Sequence, residues 1–89
     1  MLFALLGTGS GKSRDEIMAV YPRHKAFMQP FVDRGDIDGI GPFVDGNGGN
    51  MALFRTREAA EQFAKGDPFI LEGLVNSWSI KGWGDNMLK

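Results

Sequence analysis

The chain has no cysteine and only one histidine among its 89 residues. Without cysteine it can form neither a disulfide nor a thiolate metal site, and this composition fits a reducing cytoplasm. A single histidine leaves little for a transition-metal centre. The acidic residues of the middle of the chain lack the alternating spacing of a calcium loop. We therefore predict no metal and no cofactor.

Long hydrophobic runs are also absent. No segment approaches the roughly 20 apolar residues that a membrane-spanning helix requires. The apolar start Met1–Leu6 is too short for the core of a signal peptide and has no basic leader. From these features we expect a cytoplasmic protein that has no membrane partner.

The chain has no excess of charge of either sign. Ten Lys and Arg residues face eleven Asp and Glu residues, which gives a net charge of −1. Binding to a nucleic-acid backbone needs clustered basic residues, so we predict no nucleic-acid partner. What is present, 43% hydrophobic and 24% charged residues, is typical of a globular protein.

The length predicts a single domain over residues 1–89. A chain this short buries a modest core, and pairing with a second copy adds buried apolar area. We therefore expect a homodimer.

The order of hydrophobic patterns predicts four strands and two main helices. Leu2–Leu6 is a continuous apolar run, typical of a central strand. Asp36–Asp45 and Met51–Thr56 read as two strands joined by the glycine-rich turn 45–49, and Leu74, Trp78 and Ile80 mark a last strand. With helices after the first and third strands, the order is βαββαβ. This predicts an α+β, ferredoxin-like fold with an antiparallel sheet.

Helix boundaries follow from capping residues. Ser13 followed by Glu16 has the spacing of a capping box, and Thr56 is a natural N-cap for a helix over 57–65. Asp67 before Pro68 has the same role for one further turn. In the first helix Pro22 disfavours helical geometry at the preceding residue. We therefore expect a short first turn and a main helix that begins near Pro22.

The segment Gly7–Ser13 is similar to a phosphate-binding loop. It follows a strand, precedes a helix and ends in Gly-Lys-Ser, but the required first glycine falls on Leu6. A nucleotide fold also needs a parallel sheet and a second acidic strand, for which the chain has no room. The interpretations that remain are a plain strand-to-helix connection and a loop that binds an anion through backbone N–H groups and Lys12.

His24 lies on an apolar helical face with Ile17, Val20, Phe27 and Phe31. A histidine changes charge near neutral pH, and a neighbouring carboxylate would fix its tautomer and raise its basicity. If the fold brings Asp67 to it, the pair forms a general acid–base site. Otherwise His24 is a packing residue and Asp67 is only a helix cap.

Several short motifs in order resemble the YCII-related family over nearly the whole chain. They are Pro22-Arg23-His24, Gly41-Pro42, the hairpin glycines, Asp67-Pro68-Phe69 and Gly73-Leu74. The resemblance implies a ferredoxin-like fold that dimerises into an α+β barrel, with His24 and Asp67 as an active-site dyad. One member of the family is implicated in a lyase-type removal of halide from an aromatic compound.

The remaining candidate residues are predicted to bind substrate. Arg23 could pair with a carboxylate, and Tyr21, Arg23 or Asn50 could stabilise a developing oxyanion, while Gly41 and Pro42 would contribute backbone to the pocket wall. Many family members have arginine and serine where this chain has Tyr21 and Asn50, so the resemblance does not carry a particular substrate.

These observations support two functional hypotheses. The first is a small cofactor-independent lyase or isomerase in which His24 is the acid or base and Asp67 orients it. Its substrate would be a small organic acid or carbonyl compound. The alternative is a non-catalytic module of the same fold that binds a small ligand or mediates dimerisation.

Overall fold

The computed structural model describes residues 1–46 and 48–85. Its elements follow one another along the chain in this order: β1 (Leu2–Gly9), α1 (Arg14–Asp33), β2 (Ile37–Pro42), β3 (Asn50–Phe54), α2 (Arg57–Gly66), α3 (Pro68–Leu71) and β4 (Val75–Trp83). Apart from the extra turn α3, this is the predicted βαββαβ order.

The four strands form an antiparallel sheet in the order β2-β3-β1-β4. The apolar run at the start of the chain is central, because β1 pairs with β3 on one side and with β4 on the other. This arrangement confirms the α+β, ferredoxin-like fold.

The helices cover one face of the sheet. Leu5, Ala52 and Phe54 point from the strands into a core where they meet residues of the two longer helices. Helix α2 contributes its four buried residues to this core: Ala59, Ala60, Phe63 and Ala64. Phe54 and Phe63 are its most enclosed large side chains. The core therefore lies between a single helical layer and a single sheet.

The expected break in the first helix is wrong, because α1 runs without interruption from Arg14 to Asp33 and contains both Pro22 and Pro30. A proline removes one backbone hydrogen bond from a helix interior. The residues that α1 buries, Val20, His24 and Phe31, lie on both sides of Pro22, so tertiary packing holds one axis through it.

The ends of α1 follow local rules. The hydroxyl of Ser13 accepts the N–H of Glu16 at 3.2 Å, as the capping-box spacing predicts. At the other end Gly35 has φ +77°, and the N–H groups of Gly35 and Asp36 bond to the carbonyls of Val32 and Phe31. This is a Schellman motif, so Gly35 follows Arg34, which is the cap residue.

Strand β2 is shorter than the predicted span of residues 36–45. It ends at Pro42, and its register with β3 shifts between Ile37 and Gly39. Proline cannot donate to a ladder, which agrees with its position at the end of an edge strand. The glycine-rich turn joins β2 to β3 as predicted, with Asn47 outside the described residues.

The N-terminal part of the glycine-rich segment belongs to the sheet. Gly7 pairs with Trp78 and Gly9 with Val75, with a bulge between them, so that β1 ends later than the sequence predicts. The connection to α1 therefore consists only of residues 10–13. In an antiparallel sheet this short turn does not form a nucleotide-binding loop.

Candidate functional site

His24 and Asp67 meet in the interior of the molecule. His24 lies in the middle of α1 and is 9% exposed, and Asp67 is 4% exposed. The ring nitrogen Nδ1 of His24 lies 2.7 Å from Oδ1 of Asp67. Because a carboxylate only accepts hydrogen bonds, Nδ1 is the donor. The arrangement therefore leaves Nε2 as the nitrogen that is not used by Asp67.

Local geometry fixes Asp67 in this position. It lies between α2 and α3 and caps α3, and its Oδ1 accepts the N–H of Phe69 at 3.1 Å. Its own N–H bonds to the carbonyl of Phe63 at the end of α2. A capping carboxylate beside a proline at the first helical position is a common sequence signal, and here the same carboxylate also binds a histidine.

Aromatic rings hold the imidazole plane. The ring of Phe69 stacks on His24 with centroids 4.0 Å apart and an interplanar angle of 6°. Phe63 meets His24 edge-on at 6.1 Å, and the Tyr21 ring lies at the same centroid distance on another side. With a hydrogen bond at one edge and rings around it, the imidazole has one orientation.

The other nitrogen of the ring remains accessible. Within residues 1–46 and 48–85, every buried side-chain nitrogen or oxygen has a hydrogen-bond partner. Nε2 has no such partner among these residues, so it is not buried. His24 lines a cavity of about 530 Å³, and Nε2 reaches this open space. That volume suits a small organic molecule.

The cavity is mostly apolar and lies beside one end of the sheet. Its apolar wall includes Ile17, Met18, Met28, Ile40, Phe43, Phe69, Leu74 and Trp78. Its polar groups are few: His24 and Asp67 form the pair described above, and Ser10, Lys12, Tyr21 and Asn50 add further donors and acceptors. An apolar cavity with a few converging polar groups is typical of a ligand site.

Four of the five residues predicted to bind substrate line this cavity: Tyr21, Gly41, Pro42 and Asn50. Arg23 is not among the lining residues. Its guanidinium pairs with Glu72 at 3.4 Å on the surface, where both side chains are largely exposed. Residues 17, 21, 24 and 28 share one face of α1, and a position one residue before His24 is rotated by about 100° from that face.

Glycine makes room for one of the lining residues. A Cβ atom on Gly7 would lie 2.5 Å from Oδ1 of Asn50, so the amide of Asn50 occupies the space above the β1 backbone. Any larger residue at position 7 would displace it. The position of Asn50 in the cavity thus depends on a glycine two strands away in sequence and directly opposite in register.

Short sequence patterns carry no signal for some of the lining residues. Phe69 belongs to a motif that the resemblance uses, but its stacking on His24 depends on how α3 packs against α1. Trp78, which the sequence marks only as part of the last strand, lines the cavity as well, whereas Trp83 lies at the far end of β4. These placements depend on strand register, which short patterns do not specify.

A second depression of about 550 Å³ lies beside the bulge of β1, lined by Leu6, Thr8, Phe43, Ser77, Trp78 and Ser79, among others. It contains no titratable side chain and is more open than the first cavity. Of these two cavities, only the one beside His24 has titratable side chains in its lining.

Within the described parts of the chain, no three His, Cys, Asp or Glu residues are grouped so that they could bind a metal ion. In the same residues no helix has the length and apolar character to cross a bilayer.

Comparison with known proteins places this fold and cavity in context. The family described as the YCII-related domain matches residues 1–84. The chain is 28% identical to Protein YciI of Escherichia coli O6:H1 over 92 aligned positions, which cover 91% of this chain and 94% of that protein. Protein YciI of Shigella flexneri is similar to the same extent.

A solved structure shares the fold. It is that of 5-chloro-2-hydroxyhydroquinone dehydrochlorinase (TftG) from Burkholderia phenoliruptrix AC1100 in complex with 2,5-dihydroxybenzoquinone. The two chains superpose with a TM-score of 0.79 over 100% of this chain and 99% of the other, at 19% sequence identity. At that identity the likeness shows a common fold.

Proposed function

Because this chain belongs to the YCII-related domain family, we propose that it is a small enzyme whose His24–Asp67 dyad performs acid–base chemistry. The reaction is of the lyase or isomerase type, and the substrate is a small organic acid or carbonyl compound that binds in the cavity beside His24. The reaction needs no cofactor, since one histidine oriented by a carboxylate suffices to move a proton.

One observation carries the proposal. The 2.7 Å contact between Nδ1 of His24 and Oδ1 of Asp67 is buried, while Nε2 reaches a cavity lined mainly by apolar side chains. A packing histidine needs only one partner and no cavity. A histidine held at one nitrogen and open at the other has the geometry of a general base.

The chemistry follows from this geometry. The lone pair of Nε2 removes a proton from a carbon beside a carbonyl group. The C–H bonding electrons form a carbon–carbon double bond to the carbonyl carbon, and the carbonyl π pair moves onto the oxygen to give an enolate. In an elimination the carbonyl re-forms, a double bond forms to the next carbon, and the leaving group on that carbon departs with its bonding pair, whereas in an isomerisation the proton returns to another carbon. Asp67 stabilises the imidazolium that forms, and general base catalysis of this kind contributes about 10²- to 10⁴-fold.

Other lining residues have roles in the same step. Tyr21 and Asn50 are the donors that stabilise negative charge on the carbonyl oxygen of the substrate, and Gly41 and Pro42 form part of the wall. Phe69 keeps the imidazole in the plane in which Nε2 meets the substrate. Arg23 has no role in this proposal, because it pairs with Glu72 outside the cavity.

The structural neighbour supports the reaction class. TftG is a dehydrochlorinase, and its structure contains a small quinone. Loss of hydrogen chloride is an elimination in which a base takes a proton and chloride leaves. A dyad of this kind in a cavity of this size suits that type of reaction.

The test is proton exchange and elimination in the presence of the protein. Small 2-oxo acids in D₂O report enolisation by NMR, and chlorinated hydroquinones report elimination through released chloride. We expect activity that falls about 10²-fold or more in His24→Gln. Arg23→Gln is the matched control, since Arg23 neighbours His24 in sequence but lies outside the cavity, and it should retain activity.

The contrary result is equally clear. Binding of these compounds without exchange or elimination, together with a His24→Gln variant that loses only stability, would favour the non-catalytic ligand-binding module. The observation behind that alternative is that this chain has Tyr21 and Asn50 where many family members have arginine and serine.

We also propose that the protein is a cytoplasmic homodimer. The small size of the chain favours a second copy, and the lack of cysteine fits a reducing compartment.

A further inference from the structure

The cavity contains one cation that has no acidic partner. Of its lining residues, Lys12, His24 and Asp67 have side chains that carry charge. The carboxylate of Asp67 is occupied by Nδ1 of His24 and by the N–H of Phe69. In residues 1–46 and 48–85, no carboxylate lies within ion-pair distance of Lys12. The uncompensated charge of the cavity is therefore positive.

The short connection between β1 and α1 directs Lys12 into the cavity. All four residues from Gly9 to Lys12 line it. Gly11 has φ +80°, a left-handed conformation that lets the backbone turn there, and the Ser10 hydroxyl accepts the N–H of Lys12 at 3.3 Å. The turn is therefore closed by its own side chain immediately before Ser13 caps α1.

The side chain of Lys12 extends towards the segment that carries Asp67. Its Cε lies 3.9 Å from the point that a Cβ on Gly73 would occupy, in the turn between α3 and β4. The stem of Lys12 thus lies beside that turn, which is also close to the lining residue Leu74. Lys12 is itself an exposed residue, so its ammonium borders an apolar cavity while it stays in contact with solvent, and its attraction for an anion is screened by salt.

A second polar atom faces the same space. His24 is 9% exposed, and its Nε2 has no partner among the described residues. A ligand that fills the cavity therefore meets a ring nitrogen and a cation, together with the few neutral polar groups of a mainly apolar wall. A flat ring that carries one negative group suits these surroundings.

We propose that Lys12 binds the anionic group of the substrate and that the substrate is a small, mainly apolar anion such as an aromatic carboxylate or a phenolate. The inference rests on the proposed function only in taking this cavity as the substrate site. It assigns to the glycine-rich turn a role in specificity, since a neutral analogue would leave the ammonium without a counter-charge.

Benzoate and benzamide test this, because they differ in charge and hardly in shape. His24 is the only histidine of the chain, so its ring signals identify themselves in an NMR titration. We expect benzoate to bind the native protein with a Kd about tenfold lower than that of benzamide, and the difference to shrink as salt is raised. Equal affinities, or no binding of benzoate, would overturn the proposal.

Variants assign the preference to one side chain. Lys12→Met keeps the stem without the charge and should abolish the preference for benzoate, whereas Lys12→Arg should keep it. Lys25→Met, an exposed lysine of α1 that does not line the cavity, is the control and should bind as the native protein does. A preference that survives in Lys12→Met would overturn the assignment.

The outcome is independent of turnover. Binding of benzoate with the expected dependence on Lys12 stands even if His24→Gln leaves enolisation unchanged, which would refute only the dyad. Conversely, a catalytic dyad with no dependence on Lys12 would refute only the anion site.

Discussion

Asp67 performs two functions with one carboxylate. It caps α3 through the N–H of Phe69 and orients His24 through Nδ1. The two functions are compatible, because both use the carboxylate as a hydrogen-bond acceptor. A residue that is an obvious helix cap in the sequence is thereby also the partner that fixes the tautomer of the only histidine.

Asp67→Asn separates the two functions. Asparagine is an equally good N-cap, so we expect the free energy of unfolding to change by no more than about 1 kcal/mol. The amide does not enforce a proton on Nδ1, so the ¹⁵N NMR signals of His24 should change from one tautomer to a mixture. Turnover should fall about 10²-fold or more.

The result that would refute the dyad is a native His24 whose neutral form already populates both tautomers. An Asp67→Asn protein with native turnover would refute it as well. Asp67→Ala provides the reference for the cap, because it removes that hydrogen bond and should cost about 1 kcal/mol or more.

Helix α1 shows where short-range signals succeed and where they fail. Its N-cap, Ser13, and its closing glycine, Gly35, follow from local hydrogen-bond rules and were predictable. The continuity of α1 through Pro22 was not predictable from local rules, because it depends on packing against α2, α3 and β2, which are distant in the sequence. The same holds for the cavity. His24 and Asp67 are predictable from the sequence, whereas the position of Arg23 outside the cavity depends on which face α1 turns towards the cavity.

The uninterrupted helix predicts a gain from replacing its first proline. Pro22→Ala restores an N–H to the interior of α1 and removes a residue with a helix penalty of about 3 kcal/mol, offset by about 1 kcal/mol of added freedom in the unfolded chain. We expect the free energy of unfolding to rise by about 2 kcal/mol in urea denaturation. A loss of stability would show that Pro22 makes a contact that alanine cannot replace.

For a glycine at the contact between α1 and α2 we expect the opposite effect, a loss of stability when alanine replaces it. A Cβ on Gly66, the last residue of α2, would lie 2.6 Å from the tip of the Phe27 ring. That ring is packed against Phe31 and Phe63 at centroid distances of 5.4 and 5.3 Å and has little room to move. Gly66→Ala should therefore lower the free energy of unfolding by about 1 to 3 kcal/mol, despite the better helix propensity of alanine.

Gly39→Ala is the comparison for that experiment. A Cβ at Gly39 meets no atom within 4 Å, and its φ is not positive, so alanine should be tolerated there. Urea denaturation of both variants distinguishes a steric effect at Gly66 from a general effect of removing glycine. Equal stability of the two variants would contradict the role assigned to the Phe27 contact.

At the scale of the whole molecule, one layer of helices covers only one face of the sheet. Alternation along the strands places Ala4, Leu6, Met51 and Leu53 on the other face, in register across β1 and β3. In the single chain Leu6, Met51 and Leu53 are each only half-buried. An apolar patch on an uncovered sheet face is the part of this molecule that best suits the proposed second copy.

Because this patch is apolar, a single charged substitution within it tests the proposed dimer. Sedimentation equilibrium at micromolar concentration should give twice the 9.8 kDa mass of the chain. Leu53→Glu places a carboxylate at the centre of the patch, where burial without a partner is costly, and should shift the mass to that of one chain. Val44→Glu, at a position 98% exposed in the β2–β3 loop, adds the same charge and should leave the mass doubled. A native mass of 9.8 kDa would refute the dimer, and a Leu53→Glu protein that stays paired would place the interface elsewhere.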